Sequence, residues 1–218
     1  MFTNRTAAGE ALADTLEDLQ LENPVVLALP RGGVPVAIPV AKRLNAPLDL
    51  LMVRKIGLPG RPEVAAGAVV DGEGRDVVFN TKMLRSMGLD ENSFAAAIAQ
   101  KFSEIKARRK LYLGTRSPEP LAGRSVIVVD DGVATGATVK AALKSLRSRG
   151  AGLVLLALPV APRDILGELR SLADQVICLE TPSPFYAVGA HYQDFGQVED
   201  AEVQKMLRSI WNGIGEEK

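Results

Sequence analysis

Short apolar runs alternate with helical patterns along most of this chain. Runs that are typical of buried strands lie at residues 24–29, 48–53, 125–130, 153–158 and 175–179. Apolar residues with helical spacing predict helices over residues 6–20, 34–44, 138–149, 162–173 and about 203–210. Continuous apolar strands separated by helices form parallel sheets that are covered on both faces. The predicted fold class is therefore α/β, with an open, mainly parallel sheet and helices on both faces.

The segment between the second and third of these strands is less regular. Residues 55–63 contain two glycines and two prolines, and we predict a loop there that is mobile without ligand. Residues 66–70 and 76–79 are predicted short strands around a turn at residues 71–74.

A long amphipathic helix is predicted next. Its apolar stripe consists of Phe94, Ile98, Phe102, Ile105 and Tyr112. The opposite face carries Lys106, Arg108, Arg109 and Lys110, which we expect to be solvated. The organisation predicted is one domain over residues 1–218, with a helical elaboration at about residues 80–113.

Composition and charge exclude several classes of function. The chain has 218 residues, of which 47% are hydrophobic, and 26 basic residues balance 26 acidic ones, so neither a nucleic acid nor a membrane is the expected partner. The single cysteine, Cys178, excludes an intrachain disulfide and is expected to be a buried, inert thiol. The single histidine, His191, excludes a multi-histidine metal site. Without a recognisable signal peptide, the expected location is the cytoplasm.

Residues 126–138 carry the strongest candidate chemistry. Four β-branched apolar residues predict a buried strand, and Asp130 and Asp131 stand at its end. In open α/β sheets, ligands bind beyond the carboxyl ends of the strands. The two carboxylates suit ribose hydroxyls or a magnesium ion beside a phosphate.

The loop that follows the two aspartates has the properties of an anion site. It opens a helix, whose free N–H groups and dipole favour negative charge. Gly136 lets the backbone approach a ligand closely, and Thr135 and Thr138 add hydroxyl donors. A P-loop is excluded because Ala137 stands where its lysine is required, and the glycine spacing does not fit a dinucleotide fingerprint. An aspartate cap with a glycine turn in an ordinary βα unit remains the alternative.

The segment from Asp130 to Thr138 resembles the phosphoribosyl-pyrophosphate signature of type I phosphoribosyltransferases. The resemblance implies that Asp130 and Asp131 contact the ribose hydroxyls, with Mg²⁺ as cofactor bound there directly or indirectly. It also implies that a loop cradles the 5′-phosphate, namely Ala134, Thr135, Gly136, Ala137 and Thr138. A broader likeness, to bacterial phosphoribosyltransferases of unassigned specificity, runs from residue 24 to about residue 198.

Two further segments resemble parts of the same family. Arg31, Gly32 and Gly33 follow the first strand, where the family has its pyrophosphate loop. Arg54 and Lys55 resemble the opening of the mobile loop of adenine phosphoribosyltransferases, where cations lie beside a polyanion. From the residues alone, a strand-to-helix turn and an exposed charged hairpin remain the respective alternatives.

The base cannot be assigned from the sequence. Phe185 and Tyr186 resemble the aromatic stretch that stacks on the purine in hypoxanthine–guanine phosphoribosyltransferases, and either side chain fits the aromatic position. Asp194 lies one place later than the family's acid. Ala134 stands where purine enzymes usually have an aspartate, and this loop resembles that of uracil phosphoribosyltransferases.

The resemblance implies a transferase that moves ribose 5-phosphate from phosphoribosyl pyrophosphate to a nitrogenous base and releases pyrophosphate. In this interpretation Arg31 and Lys55 stabilise the pyrophosphate, while Asp130 and Asp131 hold the ribose. A homodimer is the expected assembly. The alternative is a regulatory protein on the same fold that binds a nucleotide or phosphoribosyl pyrophosphate without catalysis.

Overall fold

The computed structural model describes residues 1–72 and 76–214, and it confirms the α/β fold class. In chain order the regular elements are α1 (Arg5–Glu17), β1 (Val25–Ala28), α2 (Gly33–Arg43), β2 (Leu48–Leu50), β3 (Val53–Leu58), β4 (Arg61–Val70), β5 (Asp76–Phe79), α3 (Thr81–Ser86), α4 (Ala95–Leu113), β6 (Ser125–Val129), α5 (Ala137–Ser148), β7 (Leu153–Val160), α6 (Arg163–Arg170), β8 (Gln175–Glu180) and α7 (Asp200–Ile214). Short 3₁₀ turns lie at Glu91–Phe94 and Val188–His191.

The main sheet has five strands in the order β2-β1-β6-β7-β8, and every pair in it is parallel. Alternate side chains of β6 enter different cores. Ile127 and Val129 pack with residues of α1, α2, α4 and α7, whereas Val126 and Val128 pack with residues of α5 and α6. Because a central parallel strand is buried on both faces, its continuous apolar run is explained. The carboxyl end of β6 therefore lies in the middle of the sheet edge.

A second sheet of three antiparallel strands, β3-β4-β5, corrects the prediction for residues 55–63. These residues are a β-hairpin and not a loop, and only Pro59 and Gly60 lie between the strands. The glycine and proline content suggested a loop, but the hairpin accommodates these residues in its turn and at an irregularity of the strand pairing. Gly60 has φ +73° in the turn, and the pairing register shifts at Gly57, opposite the part of β4 that contains Pro62. A proline is tolerated at such a bulge because no ladder donor is required there.

The added long helix in the middle of the chain was predicted correctly, and it is α4, which follows α3 and the 3₁₀ turn at Glu91–Phe94. The predicted strand at 76–79 is β5, and the predicted turn at 71–74 lies partly outside the described residues. No helix in the described ranges is long and apolar enough to cross a membrane. Burial raises the pKa of the Cys178 thiol to about 11, which agrees with an inert cysteine.

The basic face of α4 is exposed at Lys106 and Lys110, as predicted, but Arg108 and Arg109 are partly buried. The side chain of Arg109 is 16% exposed, and its guanidinium contacts both carboxylate oxygens of Asp49 at 3.1 Å and Oδ2 of Asp71 at 2.6 Å. Arg108 donates to Asp200 at 2.6 Å and to the hydroxyl of Tyr112 at 2.8 Å. The physical reason is that Asp49 and Asp71 are buried acids, which require a buried cation as partner.

Candidate active site

Asp130 and Asp131 lie directly beyond the carboxyl end of β6, next to the carboxyl end of the neighbouring β1. The backbone N–H of Asp131 donates to Oδ1 of Asp130 at 2.9 Å, which fixes one carboxylate against the chain. Both side chains are partly buried. The strand thus holds two acids in fixed positions at the sheet edge, where parallel α/β sheets bind ligands.

Arg5 is a contact of the acidic pair that the sequence analysis missed. Its Nε donates to Oδ2 of Asp131 at 2.7 Å, and the two side chains are only 12% and 15% exposed. The same guanidinium donates to the carbonyl of Gly196 at 2.8 Å and lies 3.8 Å from the ring centroid of Phe195. Nothing in the local sequence marks Arg5, because the contact joins the first turn of α1 to a residue 126 positions away.

The environment disfavours the charged forms of both aspartates. Burial raises the pKa of Asp130 well above its ordinary value, and the neighbouring Asp131 carboxylate raises it further. Burial also raises the pKa of Asp131, although its hydrogen bond to Arg5 opposes this effect. Two adjacent partly buried carboxylates with raised pKa values are typical of a functional site rather than of a structural cap.

The glycine-containing loop between β1 and α2 packs directly against these two acids. A Cβ atom on Gly32 would lie 2.0 Å from Oδ2 of Asp131, and one on Gly33 would lie 2.7 Å from the carbonyl oxygen of Val129. No side chain fits in either place. The two glycines are therefore required for the loop to reach the acidic pair, and the structure brings together the two segments that the sequence analysis singled out separately.

Arg31 belongs to the same loop but is directed towards the start of α7. Its Nη1 lies 3.6 Å from Oδ1 of Asp200 and 3.9 Å from Oε2 of Glu199. The side chain is 35% exposed, and both carboxylates are exposed as well. Exposed ion pairs of this length contribute little to stability, so the guanidinium can be transferred to a bound anion at small cost.

The loop after Asp131 opens α5 as predicted. Gly136 is the residue before the helix and has φ +76°, a left-handed conformation that favours glycine. Within the part of the chain that the structure describes, no amide of residues 134–138 donates to a carbonyl outside the helix. A cavity of about 130 Å³ is lined by Asp130 and by residues 132–139. Unpaired amides at a helix start, facing a small cavity, form an anion-binding geometry.

The two cations of the β3 strand point to opposite faces, as successive strand residues do. Lys55 is exposed and lines a second cavity, of about 430 Å³, which also includes Thr135 and Ala137. Arg54 instead donates to the carbonyl of Val53 at 2.9 Å, and its positive charge contributes to lowering the pKa of Glu104. The structure thus brings Lys55 close to Thr135 and Ala137 and does not bring Arg54 there.

The aromatic residues near the site have different surroundings. Phe185 stacks on His191 with ring centroids 5.4 Å apart, whereas Tyr186 is 82% exposed. Val188, from the same segment, lies against Gly132, where a Cβ would meet it at 2.5 Å. The carboxylate of Asp194 accepts a hydrogen bond from the amide of Gly196 at 3.2 Å.

Tyr192 is a second contact that the sequence analysis missed. Its hydroxyl donates to the backbone carbonyl of Asp131, and its ring centroid lies 4.9 Å from that of Phe195. Together with Arg5, it holds Asp131 in place through contacts that do not involve the glycine loop. The aromatic residues of this segment could be seen in the sequence, but the contact of Tyr192 with Asp131 could not be predicted from them.

Asp130 and Asp131 fit a magnesium ion only if the ligand completes the coordination. In the described residues, no group of three or more His, Cys, Asp or Glu side chains could hold a metal by itself. Two carboxylates beside two loops suited to anions match the way proteins hold Mg²⁺, through one or two acids together with phosphate oxygens.

Comparisons with known proteins agree with this geometry. The family model of the phosphoribosyl transferase domain matches residues 4–194. A Mycobacterium tuberculosis protein named "Putative phosphoribosyl transferase", found in two strains, is 45% identical over 207 residues, which are 95% of this chain and 46% of that protein. The chain therefore spans about half the length of these curated relatives.

A solved structure extends the agreement to three dimensions. The crystal structure of TT1426 from Thermus thermophilus matches with a TM-score of 0.83 and 43% sequence identity, over 95% of this chain and 98% of that one. The family model covers the glycine loop, the acidic pair and residues 134–138. The chain belongs to the phosphoribosyl transferase domain family.

Proposed function

We propose that the protein transfers ribose 5-phosphate from phosphoribosyl pyrophosphate to a nitrogenous base, with release of pyrophosphate. The observation that carries the proposal is the close approach of two segments. A Cβ atom on Gly32 would lie 2.0 Å from Oδ2 of Asp131, so the glycine loop after β1 and the acidic pair after β6 are in direct contact. A site of this kind suits a sugar that carries an anionic group at each of its two ends.

The 5′-phosphate is assigned to residues 134–138. The amides at the start of α5 are available as donors, and the cavity beside them is lined by the same residues. Thr135 and Thr138 add hydroxyl donors next to Gly136. This end of the site anchors the sugar, because the helix dipole and the free amides act on the phosphate together.

The pyrophosphate is assigned to Arg31, Gly32 and Gly33. The glycines let loop amides face the anion, and the ion pairs that Arg31 forms with described residues are long and exposed. Lys55 adds positive charge on the side of the phosphate loop. Negative charge grows on the leaving pyrophosphate, and fixed cations and dipoles that stabilise it lower the barrier.

Asp130 and Asp131 are assigned to the ribose and to Mg²⁺. When bound, the magnesium ion would neutralise charge on the pyrophosphate. The two carboxylates hold the ribose hydroxyls and stabilise positive charge that develops on the sugar ring. Arg5 and Tyr192 keep Asp131 in place through direct hydrogen bonds.

The acceptor is proposed to lie near the segment that contains Phe185 and Tyr186. Tyr186 has a ring that is 82% exposed and so is free to stack on a base, while Phe185 is already stacked on His191. We therefore favour Tyr186 as the stacking residue. The class of base stays open, since Ala134 offers no acid to read it.

The test is an assay of pyrophosphate release from phosphoribosyl pyrophosphate and Mg²⁺ with a panel of purine and pyrimidine bases. We expect release with at least one base, and loss of that release in an Asp130→Asn, Asp131→Asn double variant. An Asp18→Asn variant is the matched control, because Asp18 is an exposed acid at the end of α1.

The assay also separates catalysis from regulation. Binding of phosphoribosyl pyrophosphate without release, whichever base is added, would assign the protein to the non-catalytic alternative. Absence of binding would reject both.

A further inference from the structure

The 430 Å³ cavity beside the phosphate loop is lined by an unusual number of cations. It lies between the β3-β4-β5 sheet and α5, and its volume is within the range of small-molecule sites. Four lysines line it, from three different elements or their ends: Lys55, Lys82, Lys140 and Lys144. We call it the lysine cavity.

These positive charges are poorly compensated. Glu168 is the one acidic residue among the described residues that line the cavity, and it is already paired with Lys140 at 2.5 Å. Lys55, Lys82 and Lys144 have no ion pair with any described residue. Lys140 and Lys144 are one helical turn apart on α5, a spacing at which like charges destabilise a helix. An anion in the cavity would relieve this repulsion.

The lysine cavity adjoins the phosphate loop, because it shares lining residues with the cavity at the start of α5. Thr135 and Ala137 line both this cavity and the smaller one at the start of α5. Asp130 lines only the smaller one. If the first phosphate of a polyphosphate chain is bound by the loop amides, the following phosphates would therefore extend away from the acidic pair and into the lysine cavity.

We propose that the lysine cavity binds the terminal phosphates of nucleoside 5′-triphosphates, whose first phosphate occupies the phosphate loop. The inference rests on the proposed function, because it uses the same phosphate loop. In this proposal a nucleoside triphosphate competes with the sugar substrate for the phosphate loop and gains additional affinity from the lysine cavity. The consequence is inhibition of the transfer reaction by nucleoside triphosphates.

Calorimetry with matched pairs of ligands tests the proposal. AMP is compared with ATP, and UMP with UTP, at low salt and without magnesium. We expect each triphosphate to bind at least tenfold more tightly than its monophosphate. In a Lys82→Gln, Lys144→Gln double variant this preference should fall to less than threefold, while monophosphate affinity changes by less than twofold.

A second double variant controls for net charge. Lys42→Gln with Lys205→Gln removes the same charge from a groove between α2 and α7, and it should keep the preference for triphosphates. Equal affinity for mono- and triphosphates in the wild-type protein would overturn the proposal. So would an equal loss of preference in both double variants.

The outcome is separable from that of the proposed function. The Lys82, Lys144 variant should keep its rate of pyrophosphate release and lose at least tenfold in sensitivity to inhibition by triphosphate. Pyrophosphate release with no preference for triphosphates would reject only the lysine cavity. Failure of both monophosphates to bind would reject the use of the phosphate loop, and with it both proposals.

Discussion

At the scale of single residues, the two carboxylates that we assign to ligand binding reduce the stability of the folded protein. Asp130 and Asp131 are adjacent, partly buried and close to the glycine loop, and both have raised pKa values. Charged groups in such surroundings reduce the stability of the folded protein unless a ligand or cation compensates them. Arg5 compensates Asp131 in part, but no described side chain forms an ion pair with Asp130.

We therefore expect Asp130→Asn to stabilise the ligand-free protein at neutral pH. A raised pKa of an aspartate means that its stabilising effect is complete below the ordinary aspartate pKa and is lost as pH rises through the raised value. The amide escapes this loss, and its Oδ1 can still accept from the amide of Asp131. Thermal unfolding at pH 7 should show a Tm higher by at least about 2 °C, the effect of roughly 1 kcal/mol in a domain of this size.

The pH dependence is the control for that experiment. The difference in Tm between the variant and the wild-type protein should shrink as pH falls towards the ordinary aspartate pKa and vanish below it. A variant that is less stable than wild type at pH 7, or a difference that grows in acid, would contradict the assigned burial of charge.

Arg5 leads to a second prediction at this scale. Arg5→Met keeps most of the apolar contact with Phe195 but removes the charge that opposes the raised pKa of Asp131. We expect binding of the magnesium–sugar complex to weaken at least tenfold at pH 7, about 1.4 kcal/mol. Titration calorimetry from pH 6 to pH 9 should show partial recovery at high pH, where Asp131 regains its charge. A loss that is equal at every pH would indicate a merely structural role.

Individual contacts of this kind are what the sequence could not provide. Asp130, Asp131 and Gly136 were recognisable because the residues that act together are neighbours in the chain. Arg5 and Tyr192 reach Asp131 from 126 and 61 positions away, and no local pattern records such contacts. Arg109 was expected in solvent because the side chains of its helix face are charged, yet its partners Asp49 and Asp71 come from other elements.

At the scale of elements, periodicity predicted the main sheet well and the hairpin badly. The strands of the main sheet are buried on both faces, so their apolar runs are continuous and easily read. The β3-β4 hairpin has irregular register and contains glycine and proline at the irregular positions, which removes the alternation on which strand prediction depends. The start of α5 was predicted within one residue, because glycine and hydroxyl residues mark it.

That helix start is the basis of a prediction about phosphate binding. Gly136→Val places a β-branched residue at φ +76° and brings its Cβ to 3.0 Å from Cε of Lys140. We expect ribose 5-phosphate and nucleoside monophosphates to lose affinity together, by at least about tenfold or 1.4 kcal/mol, since they share the 5′-phosphate. Calorimetry with both ligands measures this.

A second glycine provides the control. Gly167 in α6 has open space around it and no positive φ, so Gly167→Ala should leave phosphate binding unchanged. Direct binding of pyrophosphate should change less than twofold in the Gly136 variant, since it is assigned to the glycine loop. Unchanged binding of ribose 5-phosphate would remove residues 134–138 from the site.

At the scale of the whole molecule, the main sheet and the helical elaboration are joined by a buried charge network. Arg109 of α4 contacts Asp49 of β2 and Asp71 at the end of β4, and a backbone amide at Glu119 also donates to Asp49 at 2.9 Å. Burial raises the pKa of Asp71, against the opposing effect of Arg109. The network therefore links both sheets to the long helix, whose charged face the sequence had assigned to solvent.

Arg109→Met should consequently destabilise the whole protein rather than α4 alone. Removal of one partner from a buried charge cluster leaves two aspartates uncompensated, which typically costs about 3–5 kcal/mol. We expect urea unfolding to show this loss in a single transition, observed equally by helix circular dichroism and by the fluorescence of Trp211. Lys106→Met, one turn away on the exposed side of α4, is the control.

Adding Asp49→Asn and Asp71→Asn to Arg109→Met should restore much of the stability, because the buried charges are then removed together. A loss confined to the helix signal, or no recovery in the triple variant, would show that Arg109 acts within α4 and does not join the two sheets.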